Sequence, residues 1–193
     1  LYLNSFNQSK FSSWEAVEQI LTEDLSSTSG AKAKVTLFKV DDCKPLAIAA
    51  TKPCCIDELD ISIAEYNYNQ AQLVGLQKSS QAGQKNVIKE SLVSHLLKSN
   101  CLITNQPDWA SLYIDYKGSK IDHEILLKYI ISFRQHNEFH EQCVERIFTD
   151  LNHYGEFDEL TVFARYTRRG GLDINPFRSS INSSAPNIRT LRQ

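Results

Sequence analysis

The chain lacks several features that would assign a protein to a broad class at once. It contains no methionine, no Cys-x-x-Cys pair and no Gly-x-Gly-x-x-Gly segment. The missing glycine segment excludes a Rossmann dinucleotide site. The five histidines and five cysteines do not have the spacing of a zinc-ligand motif. A net charge of −2 does not indicate a general nucleic-acid binder, and no apolar run approaches the roughly 20 residues of a membrane span.

The remaining composition is that of a globular protein. The 193 residues are 41% hydrophobic and 23% charged, which suffices for one domain or two small ones with a real core. An odd number of cysteines at this length predicts free thiols and a reducing cytoplasm. The first residues, without methionine and without a basic segment before an apolar core, predict no signal peptide and a true N-terminus further upstream.

Hydrophobic periodicity predicts a mixture of helices and strands. Ser12 or Ser13 caps a helix over 14–25, and Asp122 caps a helix that runs to Phe133. We predict a further helix at 138–152 and a short one at 88–98, where the apolar residues are Leu92, Val93, Leu96 and Leu97. Strands are predicted at 33–40, 46–51, 56–63, 110–117 and 159–167. Residues 77–87 are typical of a linker, and the tail after Phe177 is predicted to be loose.

An internal repeat supports two related modules. A shift of 127 residues aligns Ser5-Phe6 with Ser132-Phe133 and Val17-Glu18 with Val144-Glu145. The second copy carries His140-Glu141 at the start of its second helix, where the first copy has serines and a tryptophan. This pair is either functional or an exposed polar first turn in which Glu141 complements the helix dipole.

Three further residues or motifs suggest chemistry. Cys101, in a polar segment, is either a small buried hydrophobe or a nucleophile. Asp108, after a proline, is either a turn residue or a proton donor. His140 is an acid–base or substrate group or a helix-end histidine, and Glu141 can read the N–H edge of a guanine-like base. The turn Arg168-Arg169-Gly170-Gly171 is either solvated or a phosphate-binding loop.

Taken together, three stretches resemble the NADPH-dependent 7-cyano-7-deazaguanine reductases in their long, two-module form. They are Ser99 to Trp109 (SNCLITNQPDW), Ser132 to Cys143 (SFRQHNEFHEQC) and Tyr166 to Pro176 (YTRRGGLDINP). The resemblance implies an α+β fold of tandem tunnelling-fold (T-fold) modules, which are antiparallel sheets with paired helices on one face. We expect a remainder of the first module at 1–76, a linker at 77–91, a second, catalytic module at 92–178 and a tail at 179–193.

The resemblance also implies an activity. Members of this family reduce the nitrile of 7-cyano-7-deazaguanine to 7-aminomethyl-7-deazaguanine with NADPH, in the biosynthesis of queuosine for transfer RNA. Cys101 would form a covalent thioimide and Asp108 would supply protons. His140 and Glu141 would bind the substrate, and Arg169 and Gly170 the cofactor. The implied partners are this small molecule and a second copy in a homodimer, with no direct nucleic acid, membrane or metal.

One departure from the family pattern limits the expectation. The family carries a Glu-Ser-Lys-Ser-x-Lys segment directly before the position of Leu1, so we expect a truncated chain that lacks part of the substrate and cofactor sites. One other hypothesis stays open, a non-catalytic purine- or pterin-binding T-fold module. A zinc-dependent cyclohydrolase would require a His/Cys ligand set, and the histidines and cysteines of this chain do not have that spacing. We interpret Cys43, Cys54, Cys55 and Cys143 as structural.

Overall fold

The computed structural model describes residues 1–42, 47–49, 52–77, 87–182 and 184–193. The chain divides into two compact units, Leu1–Pro45 and Leu46–Gln193. The predicted module boundary at residue 76 lies within the second unit and stays a prediction. None of the helices found in the described ranges is long and apolar enough to cross a membrane.

The first unit is built on helix α1 (Trp14–Ser29). Ser13 caps it as predicted, because its hydroxyl accepts a hydrogen bond from the Ala16 N–H at 3.2 Å. Gly30 ends the helix with a left-handed φ of 67°, a conformation that costs glycine nothing. The helix is thus confirmed, and it corresponds under the 127-residue shift to the second helix of the other unit.

The predicted strand at 33–40 is wrong, since residues 32–39 belong to no sheet. A strand requires a neighbouring strand, and in this part of the described chain the backbone N–H groups bond to α1 instead. Leu37 donates to the Glu18 carboxylate at 2.6 Å, and Ala33 donates to the Ser26 hydroxyl at 2.9 Å. Of the proposed hairpin partner at 46–51, residues 46, 50 and 51 lie outside the described residues.

The second unit contains a five-stranded sheet in sequential order. Its strands are β1 (Cys54–Cys55), β2 (Val87–Asn100), β3 (Pro107–Ser119), β4 (Phe157–Tyr166) and β5 (Phe177–Ser179). β1 pairs with β2 in parallel, and all later pairs are antiparallel. The predicted strands at 110–117 and 159–167 are confirmed.

The predicted helix at 88–98 is wrong, because these residues form the long strand β2. A bulge between Ser94 and Leu97 shifts the register against β3. The shift places Leu97 on the same core face as Leu92, although the two are five positions apart and would lie on opposite faces of a regular strand. Val93 is buried on the opposite face. Apolar residues on both faces, displaced by one bulge, therefore imitate helical spacing.

Two helices, α2 (His123–Ser132) and α3 (His140–Tyr154), cover one face of the sheet. Asp122 caps α2, since its carboxylate accepts from the N–H groups of Glu124 and Ile125. The core between helices and sheet includes Leu112, Ile114, Leu126, Ile130 and Val162. The order β2-β3-α2-α3-β4-β5 with both helices on one face confirms the α+β class and matches the expected module.

The structure differs from the predictions in three further segments. Residues 56–63 form no strand, although Ile56 is buried and Ile61 and Ile63 pack against the core. Of the predicted linker at 77–91, residues 78–86 lie outside the described part and 87–91 belong to β2. The tail is not loose: β5 starts at Phe177, and Gln193 donates to the Tyr166 carbonyl at 3.3 Å.

Candidate active site

Cys101 opens a tight loop of residues 101–106 between β2 and β3. The Asn105 N–H donates to the Cys101 carbonyl at 2.9 Å, and the Cys101 N–H donates to the Gln106 carbonyl at 2.8 Å. Asn105 adopts a left-handed φ of 56°, which asparagine tolerates better than most residues. Its side chain also accepts from the Asn137 amide at 2.8 Å. The loop therefore holds Cys101 in a fixed position at the end of the sheet.

The thiol of Cys101 lies in an electropositive, hydrogen-bonding environment and is half-exposed. The Thr104 hydroxyl is the largest influence, followed by the backbone N–H groups of Thr104 and Ile103 and by the Arg169 guanidinium. Together they lower the pKa of Cys101 from 9.0 to about 6. Since the thiolate is the nucleophilic form, this cysteine is activated at neutral pH. The alternative that Cys101 is an inert buried residue does not fit.

Asp108 lies near the start of β3, with its backbone opposite Ser99 of β2. The residue is only 2% exposed, so its carboxylate is almost completely withdrawn from solvent. One oxygen, Oδ1, accepts from Arg169 Nη1 at 2.9 Å. The other, Oδ2, lies 3.4 Å from His140 Nε2 and has no hydrogen-bond partner among the described residues. A buried carboxylate with one anchored and one unbonded oxygen is suited to transferring a proton.

Arg169 follows β4 in a turn closed by reciprocal backbone hydrogen bonds with Leu172. The turn requires glycine at two places, because Gly170 and Gly171 have φ values of 57° and 81°. The Arg169 guanidinium points to the loop after β2. Besides Asp108, it donates to Gln106 Oε1 at 2.6 Å and to Thr104 Oγ1 at 3.3 Å. Arg169 thus connects the nucleophile's loop with the buried carboxylate, a role that the sequence did not suggest.

His140 and Glu141 occupy the first turn of α3 but differ in their surroundings. The His140 ring packs edge-on against the Tyr166 ring, with centroids 4.1 Å apart, and reaches Asp108. Glu141 is exposed, and no hydrogen bond or ion pair ties it to any residue that the structure describes. The start of α3 is fixed to the end of β2, because Asn100 and the segment 136–138 exchange backbone hydrogen bonds of 2.8 and 3.1 Å.

The structure thus brings Cys101, Asp108, His140 and Arg169 into one connected cluster. Gly170 lies in the turn next to it, and Glu141 lies beside His140 without a described contact to the cluster.

Sequence reasoning missed the buried residues beneath this cluster. Ser99 and Tyr166 are 0% and 1% exposed, and both hydroxyl groups lie beside the thiol of Cys143. Cys143 is also fully buried, and burial raises the pKa of its thiol to about 11, which makes it unreactive beside Cys101. Ser99 could have been found from its position opposite Asp108 once β2 was recognised as a strand.

Comparisons with known proteins extend the assignment from site to class. Residues 107–185 match the family model of the QueF-like proteins. Residues 1–37 match the model described as "Nitrile reductase, 7-cyano-7-deazaguanine-reductase N-term". These two matches, on a fold with an activated thiolate beside a buried carboxylate, define an oxidoreductase of the nitrile reductase class.

A curated relative from Colwellia psychrerythraea specifies the family. It is named NADPH-dependent 7-cyano-7-deazaguanine reductase and is 63% identical over 195 residues, which cover 100% of this chain and 67% of the relative. The chain belongs to the 7-cyano-7-deazaguanine reductase family. A solved structure, the archaeosine synthase QueF-Like in the apo form, aligns with 16% identity and a TM-score of 0.42 over 55% of this chain and 100% of its own.

Proposed function

We propose that this chain carries the nucleophile's part of an NADPH-dependent reductase that converts the nitrile of 7-cyano-7-deazaguanine into a primary amine. The observation that supports this most directly is the pairing of Cys101, whose pKa is about 6, with the buried carboxylate of Asp108 through Arg169. A nitrile carbon is an electrophile that suits a thiolate, and its nitrogen needs a proton as soon as the carbon is attacked.

The first step joins enzyme and substrate covalently. The Cys101 thiolate adds to the nitrile carbon, one π bond of the C≡N group breaks, and the nitrogen takes a proton from Asp108, which enters this step as the carboxylic acid and leaves it as the carboxylate paired with Arg169. The product is a thioimide with a C–S bond, and no group leaves. Asp108 Oδ2, the oxygen without a hydrogen bond, would carry this proton, while Arg169 holds Oδ1.

The substrate would lie at the start of α3. His140 is in contact with Asp108 and is therefore positioned to orient the substrate near the proton donor. Glu141 is exposed and has no competing described partner, so its carboxylate is free to accept two N–H groups of a guanine-like base. These roles for His140 and Glu141 are part of our proposal.

NADPH, when bound, would supply hydride to the carbon that Cys101 has activated; the amine requires two hydrides in all, and cleavage of the C–S bond between them returns the Cys101 thiolate. We propose that its phosphates lie at the Arg169–Gly170 turn. The left-handed glycines orient backbone N–H groups there, and Arg168 is exposed beside them. The Arg169 guanidinium is 37% exposed and its head is held by Asp108 and Gln106, so it can contact a phosphate only with the donors that these acceptors leave.

We further propose that the product enters queuosine biosynthesis as a small molecule and that the enzyme itself does not contact nucleic acid. The enzyme would act in the cytoplasm as a homodimer. The module boundaries at 76 and 92 remain predictions.

Intact-mass spectrometry tests the covalent step. The chain is incubated with 7-cyano-7-deazaguanine without NADPH, and we expect a mass increase equal to the whole substrate, mapped to Cys101. Cys101→Ala should form no adduct, and Cys143→Ser should retain it. Iodoacetamide labelling of Cys101 in the same sample reports whether the thiolate is accessible. A reactive Cys101 that forms no adduct, or an adduct on another cysteine, would contradict the proposed mechanism.

A further inference from the structure

A second cluster of reactive side chains lies apart from Cys101. One ligand atom each from Cys55, Asp57 and His95 lies within 4.8 Å of the other two. Cys55 ends β1 and Asp57 follows it, whereas His95 lies at the bulge of β2. Because the three residues come from two separate segments, no sequence spacing marks them.

Neighbouring hydrogen bonds already orient two of these side chains. His95 Nδ1 lies 2.7 Å from the hydroxyl of Ser111, which is 2% exposed. When Nδ1 donates to that hydroxyl, Nε2 carries the lone pair that a metal requires. The Asp57 carboxylate accepts from the Ser94 hydroxyl at 2.6 Å and from the His95 N–H at 2.8 Å. Bound metals are commonly supported by such outer hydrogen bonds.

The charge of the cluster also favours a cation. The carboxylates of Asp57 and Glu58 lie near the Cys55 thiol and supply negative charge there. The guanidinium of Arg192, which donates to the His95 carbonyl oxygen at 2.7 Å, is a nearby positive charge that opposes these carboxylates. A metal ion would replace the thiol proton, forming an S–metal bond and releasing one H⁺.

We propose that Cys55, Asp57 and His95 bind a zinc ion whose fourth ligand comes from solvent. Thiolate, imidazole and carboxylate are the ligand types that zinc takes, at bond lengths of about 2.0–2.3 Å. Tetrahedral geometry then requires ligand atoms about 3.3–3.8 Å apart. Cys55 is exposed, so its side chain can rotate to close the difference. The ion would fasten β1 and the turn after it to β2.

Cobalt is the probe for this site, since thiolate–cobalt bonds absorb in the near ultraviolet. The 193-residue chain carries Cys101→Ala, because this substitution removes the reactive thiolate as a competing ligand. This variant is titrated with Co²⁺. We expect one charge-transfer band that saturates at one equivalent and releases about one proton. Cys55→Ser should abolish the band, and Cys54→Ser, which changes the adjacent exposed thiol, should retain it. A band that survives Cys55→Ser, equal loss in both variants, or no band overturns the proposal.

A zinc titration tests whether His95 and Asp57 contribute to the proposed site. Ser111→Ala should weaken zinc binding about 10–100-fold, as expected for loss of a hydrogen bond that orients a metal-binding histidine. Asp57→Asn removes the charge, and its single amide oxygen can still accept from the His95 N–H while its NH2 group donates to the Ser94 hydroxyl, so this variant separates folding from binding. Zinc should raise the melting temperature of the parent and not that of Cys55→Ser. Unchanged zinc affinity in both folded variants overturns the site.

Discussion

Replacing Thr104 by valine tests why Cys101 is activated. The hydroxyl of Thr104 is the largest of the influences that lower the pKa of Cys101 from 9.0 to about 6, and valine keeps the shape but not the hydroxyl. The backbone N–H groups and Arg169 remain. We therefore expect a pKa between these two values in Thr104→Val, and an unchanged one in Thr104→Ser.

The magnitude decides which quantity to measure. At pH 7 a thiol with a pKa of about 6 is about 90% thiolate, and one with a pKa of 9.0 is about 1% thiolate. If the pKa returned completely to 9.0, the thiolate fraction at pH 7 would thus fall about 90-fold. A more basic thiolate is also more nucleophilic, by about 16–30-fold for three pKa units. The net alkylation rate at pH 7 would fall only about three- to sixfold, so the midpoint of the pH profile is the sharper readout.

The assay is alkylation of Cys101 by iodoacetamide between pH 4.5 and 10, resolved from the other cysteines by peptide mass spectrometry. The sign follows from the lowered pKa: reactivity of the parent should be complete above about pH 7 and be lost as the pH falls through 6. An unchanged midpoint in Thr104→Val, or an equal shift in Thr104→Ser, would refute the hydroxyl's role.

Two further predictions concern charged groups. Arg169→Met leaves the buried carboxylate of Asp108 without its cation, so it should lower the free energy of unfolding by about 1–3 kcal/mol in a urea titration. The control is Arg168→Met at the exposed neighbouring position, which should change the free energy of unfolding by less than about 0.5 kcal/mol. An equal loss in both variants would argue against the pairing. For Glu138, burial alone raises the pKa, but the hydrogen bonds from Arg146 and a neighbouring histidine outweigh it and hold the pKa below 4.5. Its contribution to stability is therefore present at neutral pH and is lost as the pH falls below 4.5. Glu138→Gln should destabilise the protein at pH 7, and the difference from the parent should shrink progressively below pH 4.5. A difference that stays constant as the pH falls would contradict the assignment.

The second unit was more predictable than the first for a physical reason. α2, α3, β3 and β4 carry caps and one-faced apolar patterns, and these local signals agree with the packing that the unit adopts. Segment 33–40 has strand-like residues, but strand formation depends on a partner that local sequence does not supply. A helix was predicted in place of β2 because a bulge changes the alternation of apolar residues along this strand. A single sequence gives no signal for such a bulge.

Within the site, residue types could be predicted but their connections could not. Cys101 and Asp108 were recognisable as a thiol and a carboxylate near one strand. Their mutual arrangement depends on Arg169, which is 61 residues from Asp108 in the chain and reaches it only because β3 and β4 pair. Spacing along the chain contains no information about such a contact.

The position of Arg169 has a consequence for the order of events at this site. In the ligand-free arrangement its guanidinium stabilises the thiolate of Cys101 and also binds Asp108 Oδ1. In the proposed mechanism the thiolate becomes a neutral thioimide sulfur, and the first of these interactions would then lose its charge. The guanidinium would have a donor to spare for the phosphate that we propose to lie next to Gly170. Covalent capture of the nitrile would thereby strengthen cofactor binding at the turn, and the two roles proposed for Arg169 would follow one another rather than compete.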